Sequence, residues 1–156
     1  MKTYVKTYID TSIFVKSFVW ESDSPAALEI IEAVGEPLAF SHLHGIEIPN
    51  AIRLKRFRGE ITRAQETAAI RAFEADVDAG RMAHPAYDIT AVFIRAERLS
   101  ARYSGEIGTR SLDLLHVAAA LEAGCTAFAS YDERQRKCAA LAGMKVIPAK
   151  PAETKK

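Results

Sequence analysis

The sequence has little of what extracellular, membrane and metal–thiolate proteins depend on. Its 156 residues include only two cysteines, Cys125 and Cys138, whose spacing forms neither a CxxC motif nor a disulfide framework. No apolar run approaches the about 20 residues that span a membrane. Lys6 interrupts the first apolar stretch and no small-residue cleavage site follows, so no signal peptide is evident. We therefore expect a cytoplasmic protein with reduced thiols and no membrane partner.

The chain also has almost no net charge. The chain carries 21 Lys and Arg against 20 Asp and Glu, a net charge of +1. An overall electrostatic field therefore cannot attract nucleic acid, although a local basic patch still can. One basic cluster comprises Arg53, Lys55, Arg56 and Arg58. It is either a solvated helix face or a set of phosphate contacts.

What the sequence does contain is an alternation of short apolar strands and amphipathic helices. Strands are predicted near residues 4–9, 37–40, 81–84, 126–130 and 145–147, with helices between them. Pro49 predicts a kink or a break near Ile46, and Gly105 predicts the end of the helix that begins near Thr90. Such alternation indicates an α/β fold with a mostly parallel central sheet flanked by helices. We expect one domain over residues 1–148 and a flexible C-terminal tail over 149–156.

Four acidic residues occupy comparable positions in this pattern. Asp10 ends the first strand and precedes a helix, and Asp132 follows a later strand in the same way. Glu47 lies in the early turns of one helix, and Asp113 lies in the first turn of the most apolar helix. In open α/β sheets, ligands bind at the carboxyl ends of the strands. The four acids therefore predict a site at one edge of the sheet.

Each acid also has a purely structural interpretation. Asp10 and Asp132 can cap helices, Asp132 within a capping box completed by Gln135. Asp113 can complement the helix dipole, and Glu47 can pair with a basic side chain. These interpretations weaken if all four acids point to one edge of the sheet.

Carboxylates placed together would need a counter-charge. Two of them about 5 Å apart repel by roughly 3 kcal/mol at an effective dielectric constant of about 20. Six such pairs are more than a marginally stable domain can carry. Either the pKa values of the acids rise or a cation binds among them. Oxygen ligands without paired Cys or His favour a hard ion, Mg²⁺ or Mn²⁺.

Around these acids the chain resembles a known family. The ordered segments YIDTSIFVK (8–16), IEIPNAI (46–52), SLDLLHVAAA (111–120) and FASYDERQ (128–135) are similar to the acidic motifs of PIN domains. The chain resembles in particular the VapC toxins of prokaryotic toxin–antitoxin pairs. The resemblance implies a PIN-like three-layer sandwich and a metal-dependent endoribonuclease that cuts RNA. It also implies a homodimer, higher toxin–antitoxin assemblies, a neutralising VapB-type antitoxin, and contact with DNA only through that antitoxin.

The resemblance also assigns roles to the acids. Asp10, Asp113 and Asp132 would hold Mg²⁺ or Mn²⁺, and Glu47 would orient or deprotonate the attacking water or bind a second ion. Ser12 and Ser130 are candidates to fix the carboxylates by hydrogen bonds, or are ordinary turn residues. Pro49 departs from the uninterrupted helix that is usual after the glutamate.

Three further points stay open at this stage. His116 lies three residues after Asp113 and is either a metal ligand or, as we favour, a hydrogen-bonded core histidine. A Mg²⁺-dependent phosphatase or phosphotransferase with Asp10 as nucleophile would place a second Asp two residues on, where the chain has Ser12. A PIN-like module that binds RNA or protein without cleavage is the remaining alternative.

Overall fold

A computed structural model of the protein describes residues 6–149. Of the predicted first strand, residues 4 and 5 lie outside the described residues, as does the predicted C-terminal tail apart from Ala149. The strands are β1 (Thr7–Ile9), β2 (Leu38–Ala39), β3 (Met82–Ala83), β4 (Ala127–Ala129) and β5 (Lys145–Ile147). The helices are α1 (Thr11–Phe18), α2 (Ser24–Val34), α3 (His42–Phe57), α4 (Arg63–Asp78), α5 (Ile89–Leu99), α6 (Gly105–Ile107), α7 (Ser111–Glu122) and α8 (Glu133–Leu141).

The strands form two sheets. One sheet has the order β1-β4-β5, with β4 and β5 pairing in parallel, and the other is the parallel pair β2-β3. Helices flank the parallel sheet, which confirms the predicted α/β class. No helix within residues 6–149 is long and apolar enough to cross a membrane.

The backbone divides into two compact units. The N-terminal unit is Ile9–Ala86, and the C-terminal unit contains the described residues 6–8 and 87–149. In the N-terminal unit, α1 packs on α2, α3 and α4. In the C-terminal unit, α7 packs on α5 and α8, and α8 also contacts β4 and β5. Each unit thus carries two of the four predicted site acids: Asp10 and Glu47 in the first, Asp113 and Asp132 in the second.

Two predicted helix boundaries were wrong. Of the kink or break predicted near Ile46, the break does not occur: α3 runs from His42 to Phe57 with Pro49 inside it. Ile48 and Ile52 are both fully buried, so packing on either side of the proline holds the helix together. The helix predicted to begin near Thr90 does not end before Gly105. It begins as α5 and continues through a π-helical segment (Ser100–Ser104) into α6. Gly105 has the right-handed φ of −63°, and the left-handed φ of +74° that ends the helix is at Gly108.

The two cysteines are free, as predicted from their spacing, and both are buried. Burial raises the pKa of Cys125 to about 11, and burial with the nearby charge of Asp113 raises the pKa of Cys138 to about 11. Both side chains therefore act as small apolar core residues.

An ion-pair network closes the turn between α1 and α2. Glu21 accepts from Lys16 at 2.7 Å and also pairs with Lys55 of α3, while Lys16 reaches Asp23 at 3.0 Å. Hydrogen bonds from Lys16 and then Lys55 outweigh burial and hold the pKa of Glu21 below its ordinary value. The pKa values of both lysines are raised by the same carboxylate, although burial opposes this. The Glu21 carboxylate therefore ties α1 to α3, and the Asp23 carboxylate ties α1 to the N-cap of α2.

Substitution of Glu21 by Gln should lower the free energy of unfolding at pH 7 by about 1–2 kcal/mol, since two partly buried ammonium groups lose the charged acceptor that they share, while Lys16 keeps Asp23 and Lys55 keeps Glu60. Because the folded pKa of Glu21 is lowered, its contribution is present above the ordinary value of 4.5 and is lost as the pH falls below it. Urea unfolding at pH 7 and pH 3 checks this result. Glu32→Gln, at an exposed position of α2, is the control. An equal loss of stability at both pH values would contradict the ion-pair explanation.

Candidate active site

Asp10 lies between the end of β1 and the start of α1. It is 5% exposed, and its Oδ2 accepts a hydrogen bond of 2.7 Å from the Ser12 hydroxyl. Its side chain makes no capping hydrogen bond to α1. The interpretation of Asp10 as a simple helix cap is therefore wrong. The Ser12 hydroxyl instead fixes the orientation of the carboxylate, as the sequence suggested.

Glu47 lies in the second turn of α3 and is half-buried. The Thr11 hydroxyl of α1 lies 3.5 Å from Glu47 Oε1, at the outer limit of a hydrogen bond. Thr11 contacts Glu47, and the next residue, Ser12, contacts Asp10. Consecutive positions of α1 therefore contact the two acids of this unit. Thr11 was not predicted to have this role.

A buried histidine supports the same part of the N-terminal unit. His44 Nδ1 accepts from the backbone N–H of Ser41 at 2.9 Å, which leaves the proton on Nε2. Nε2 lies 2.7 Å from the carbonyl oxygen of Ile9, to which it donates. His44 therefore occupies the third position of a capping box, where Glu or Gln is usual, and also holds the backbone that directly precedes Asp10. His44 was not predicted to have a role.

Asp113 is the best-anchored acid of the C-terminal unit. It is 3% exposed, and its Oδ2 accepts from the backbone N–H of Arg110 at 3.0 Å and from Arg110 Nε at 3.2 Å. Its Oδ1 accepts from Gln135 Nε2 at 3.1 Å. Burial opposes ionisation, but the hydrogen bonds from Gln135 and Arg110 outweigh it and hold the pKa of Asp113 below its ordinary value. Asp113 is thus a buried, ionised carboxylate.

Asp132 caps α8, as its structural interpretation proposed. Its Oδ1 accepts from the backbone N–H of Gln135 at 3.0 Å. The other half of the predicted capping box is wrong, because the Gln135 side chain goes to Asp113, and the Asp132 N–H donates to Ser130 Oγ at 3.0 Å. The Ser130 hydroxyl in turn donates to Gln135 Oε1 at 3.3 Å. Ser130 and Gln135 thus connect the start of α8 to Asp113.

One guanidinium contacts both acids of this unit. Besides its contact with Asp113, Arg110 places Nη2 3.7 Å from Asp132 Oδ2. Its hydrogen bond and charge interaction with Asp113, and the charge of Asp132, raise the pKa of Arg110. Of the two expected ways to relieve the repulsion, a rise in pKa does not occur at Asp113, and for this pair the Arg110 guanidinium supplies a positive charge.

The donor chemistry of the Asp113–Asp132 pair fits a hard cation. Its ligands are carboxylate oxygens, and a cationic group already lies against both of them. In the part of the chain that the structure describes, however, no group of three or more His, Cys, Asp or Glu side chains is close enough to hold a metal ion. The pair alone would supply at most part of a coordination shell, with water completing it.

His116 is a core residue, as we favoured. It is 1% exposed, and its Nδ1 lies 2.7 Å from the Tyr8 hydroxyl, with the two rings in an edge-to-face arrangement. Tyr8 also stacks on Phe128 of β4. The hydrogen bond and the ring contacts explain His116 without a metal.

The basic cluster separates into two kinds of side chain. Lys55 pairs with Glu21 and Glu60, and Arg56 pairs with Glu66 at 2.9 Å. Arg53 and Arg58 are exposed. Ion pairs within the protein therefore account for Lys55 and Arg56, and the two interpretations, a solvated face or a phosphate contact, stay open only for Arg53 and Arg58.

Comparison with known proteins gives one match. The family model described as PIN domain matches residues 7–141, a range that contains all four predicted acids. No curated protein matches the chain. PIN domains are generally nucleases, act on nucleic acid and typically use divalent metal ions. The ordered acids, the α/β architecture and this match over most of the sequence establish that the chain belongs to the PIN domain family.

Proposed function

We propose that this protein is a Mg²⁺- or Mn²⁺-dependent endoribonuclease and a VapC-type toxin. The observation that carries the nuclease proposal is the buried carboxylate of Asp113, kept ionised beside Asp132 in a chain of the PIN family. Buried carboxylates that are oriented by several donors are rare outside functional sites.

The family resemblance, rather than the described geometry, supports the rest of the proposed site: Asp10 would join Asp113 and Asp132 at the ion, and Glu47 would orient or deprotonate the attacking water. When bound, the ion would lower the pKa of a water molecule and neutralise the negative charge on the phosphoryl oxygens. Ser12 fixes the Asp10 carboxylate, and Gln135 fixes that of Asp113. Orientation of ligands by such neighbours is typical of metal sites.

Two observations favour cleavage over the rival functions. The Ser12 hydroxyl is bonded to Asp10 Oδ2 at the position where an aspartyl phosphatase would need a second acid. An ionised carboxylate as buried as Asp113, beside a second acid, is typical of a catalytic site and is not required by a binding module.

The toxin role is supported by the resemblance of the four motifs to VapC proteins and by exposed apolar side chains. Trp20, Ile46 and Phe57, all of the N-terminal unit, are 71%, 72% and 87% exposed. Exposed large apolar residues favour a protein partner, which we propose to be a VapB-type antitoxin. Homodimerisation, indirect contact with DNA and a cytoplasmic location belong to the same proposal.

RNA cleavage tests the nuclease proposal directly. We expect the purified protein to cut single-stranded RNA internally with Mg²⁺ or Mn²⁺ and to be inactive in EDTA, because the acids need the ion to bring an anionic phosphate among them. Single-stranded DNA and p-nitrophenyl phosphate are the comparison substrates. Phosphatase activity without RNA cleavage, or RNA binding without cleavage, would replace the proposal with the corresponding rival.

Growth tests the toxin part separately. Expression in a bacterial host should arrest growth, and co-expression of the small protein encoded beside this gene should restore it. The Asp10→Asn variant is the control, since it should bind the same partner without arresting growth. A chain that cuts RNA in vitro but does not arrest growth would be a PIN nuclease without the toxin role.

A further inference from the structure

Arg110 combines three features that an ordinary surface ion pair does not share. Its backbone N–H and its guanidinium Nε both donate to the same oxygen, Asp113 Oδ2, at 3.0 and 3.2 Å. The guanidinium also reaches Asp132 Oδ2 at 3.7 Å. Yet its side chain is 66% exposed, whereas that of Asp113 is 4% exposed. A solvent-accessible cation thus covers two buried or half-buried acids.

We propose that the Arg110 guanidinium is an exchangeable cation of the Asp113–Asp132 pair. It balances the two carboxylates when no divalent ion is bound and moves into solvent when an ion binds. This inference rests on the proposed metal-dependent function, and it adds a residue that regulates metal affinity at the same site.

The carboxylates are built to keep their orientation when the guanidinium leaves. Asp113 retains the hydrogen bonds from Gln135 Nε2 and from the Arg110 backbone, which belongs to the start of α7. Asp132 retains the hydrogen bond from the Gln135 backbone. Only the side-chain contacts of Arg110 have to break, and the high exposure of that side chain gives it water to move into.

The guanidinium and a divalent ion cannot both occupy this position. Asp113 Oδ2 already accepts two N–H groups, which uses the lone pairs that would otherwise bind a metal. Mg²⁺ also needs oxygen ligands at about 2.1 Å and would bring its charge against that of the guanidinium. Binding of either cation must therefore weaken binding of the other, and by the same factor.

Metal affinity is the first measurement. Titration calorimetry with Mn²⁺ should give about tenfold tighter binding to Arg110→Gln than to the wild type, since the ion no longer displaces a bound cation. Arg110→Lys keeps the charge and should stay close to the wild type. Arg134→Gln removes an exposed charge from the first turn of α8 and is the matched control, with an expected change below about twofold.

The position of the guanidinium is the second measurement. The ¹⁵Nε–Hε resonance that disappears in Arg110→Lys identifies this side chain in NMR spectra. On addition of Mg²⁺ it should move to the range of exposed arginines, while the backbone amide of Asp113 reports the binding of the ion.

The outcomes separate this inference from the proposed function. Equal Mn²⁺ affinity of Arg110→Gln and wild type, or an unmoved Arg110 resonance while Mg²⁺ binds, would overturn the inference and leave the metal-dependent nuclease intact. Weaker binding by a folded Arg110→Gln would also overturn it, because Arg110 would then support the ion. If no variant binds metal, the inference fails together with the metal centre, and RNA cleavage in EDTA then decides whether the nuclease function survives.

Discussion

Asp10→Asn is expected to lower the rate of RNA cleavage by about a thousandfold without a large change in stability. The amide keeps an oxygen that can accept the Ser12 hydroxyl, so this hydrogen bond at the start of α1 is retained. What is lost is the negative charge that a metal ion requires. Single-turnover cleavage of a labelled RNA and a thermal melt measure the two effects.

Asp113→Asn should lose as much activity but also stability. The carboxylate accepts from Gln135 through one oxygen and from Arg110 through the other, and an amide has only one oxygen to offer. We expect a loss of about 1–3 kcal/mol in the free energy of unfolding. Asp78→Asn, at an exposed position near the end of α4, is the control for both variants. Wild-type cleavage rates in folded Asp10→Asn or Asp113→Asn would sink the site assignment.

His44→Leu is expected to cost about 3 kcal/mol of stability, more than most single substitutions. His44 is fully buried and satisfies two backbone groups, the Ser41 N–H and the Ile9 carbonyl, which leucine would leave without these partners. Urea unfolding measures the effect. His44→Gln should recover part of the loss, because glutamine at this position of a capping box can reach back to the Ser41 N–H.

The same variants test whether His44 positions Asp10. Well below the melting temperature, His44→Leu should also cleave RNA more slowly, since it releases the carbonyl of the residue that precedes Asp10. His84→Leu, at an exposed position whose ring stacks on His42, should change stability by less than about 0.5 kcal/mol. Normal cleavage by a folded His44→Leu would restrict this histidine to a structural role.

Most of the fold could be predicted from the sequence because the ends of its helices depend on residues close to them in the chain. The Thr62–Gln65 capping box that starts α4 follows a simple sequence signature, a threonine with a glutamine three positions on, and its hydrogen bonds form in both directions. The errors arose where tertiary packing overrides a local signal. Pro49 does not break α3 because buried isoleucines hold both sides, and Gly105 takes a right-handed conformation that any residue can adopt.

In the candidate site, too, some features could be predicted from the sequence and others could not. The positions of Asp10, Asp113 and Asp132 could be predicted because each follows a strand or lies in the first turn of a helix, and that of Glu47 because it lies early in α3. Their partners could not, since a side chain's choice of partner depends on packing that the sequence does not display. Gln135 carries a capping-box signal, yet its amide goes to Asp113. Arg110 gave only the weak signal of a basic residue three positions before an acid at a helix start.

Because the two native thiols are buried and react little, a spectroscopic probe can be attached to a cysteine introduced elsewhere in this chain. A thiolate is the form that reacts with maleimides, and with pKa values of about 11 neither Cys125 nor Cys138 supplies much of it at neutral pH. A single cysteine introduced at an exposed position, such as that of Asp78, should therefore be labelled selectively without removal of the native pair. Fluorescence or spin-label measurements of RNA and partner binding can then be made on a chain whose core is unaltered.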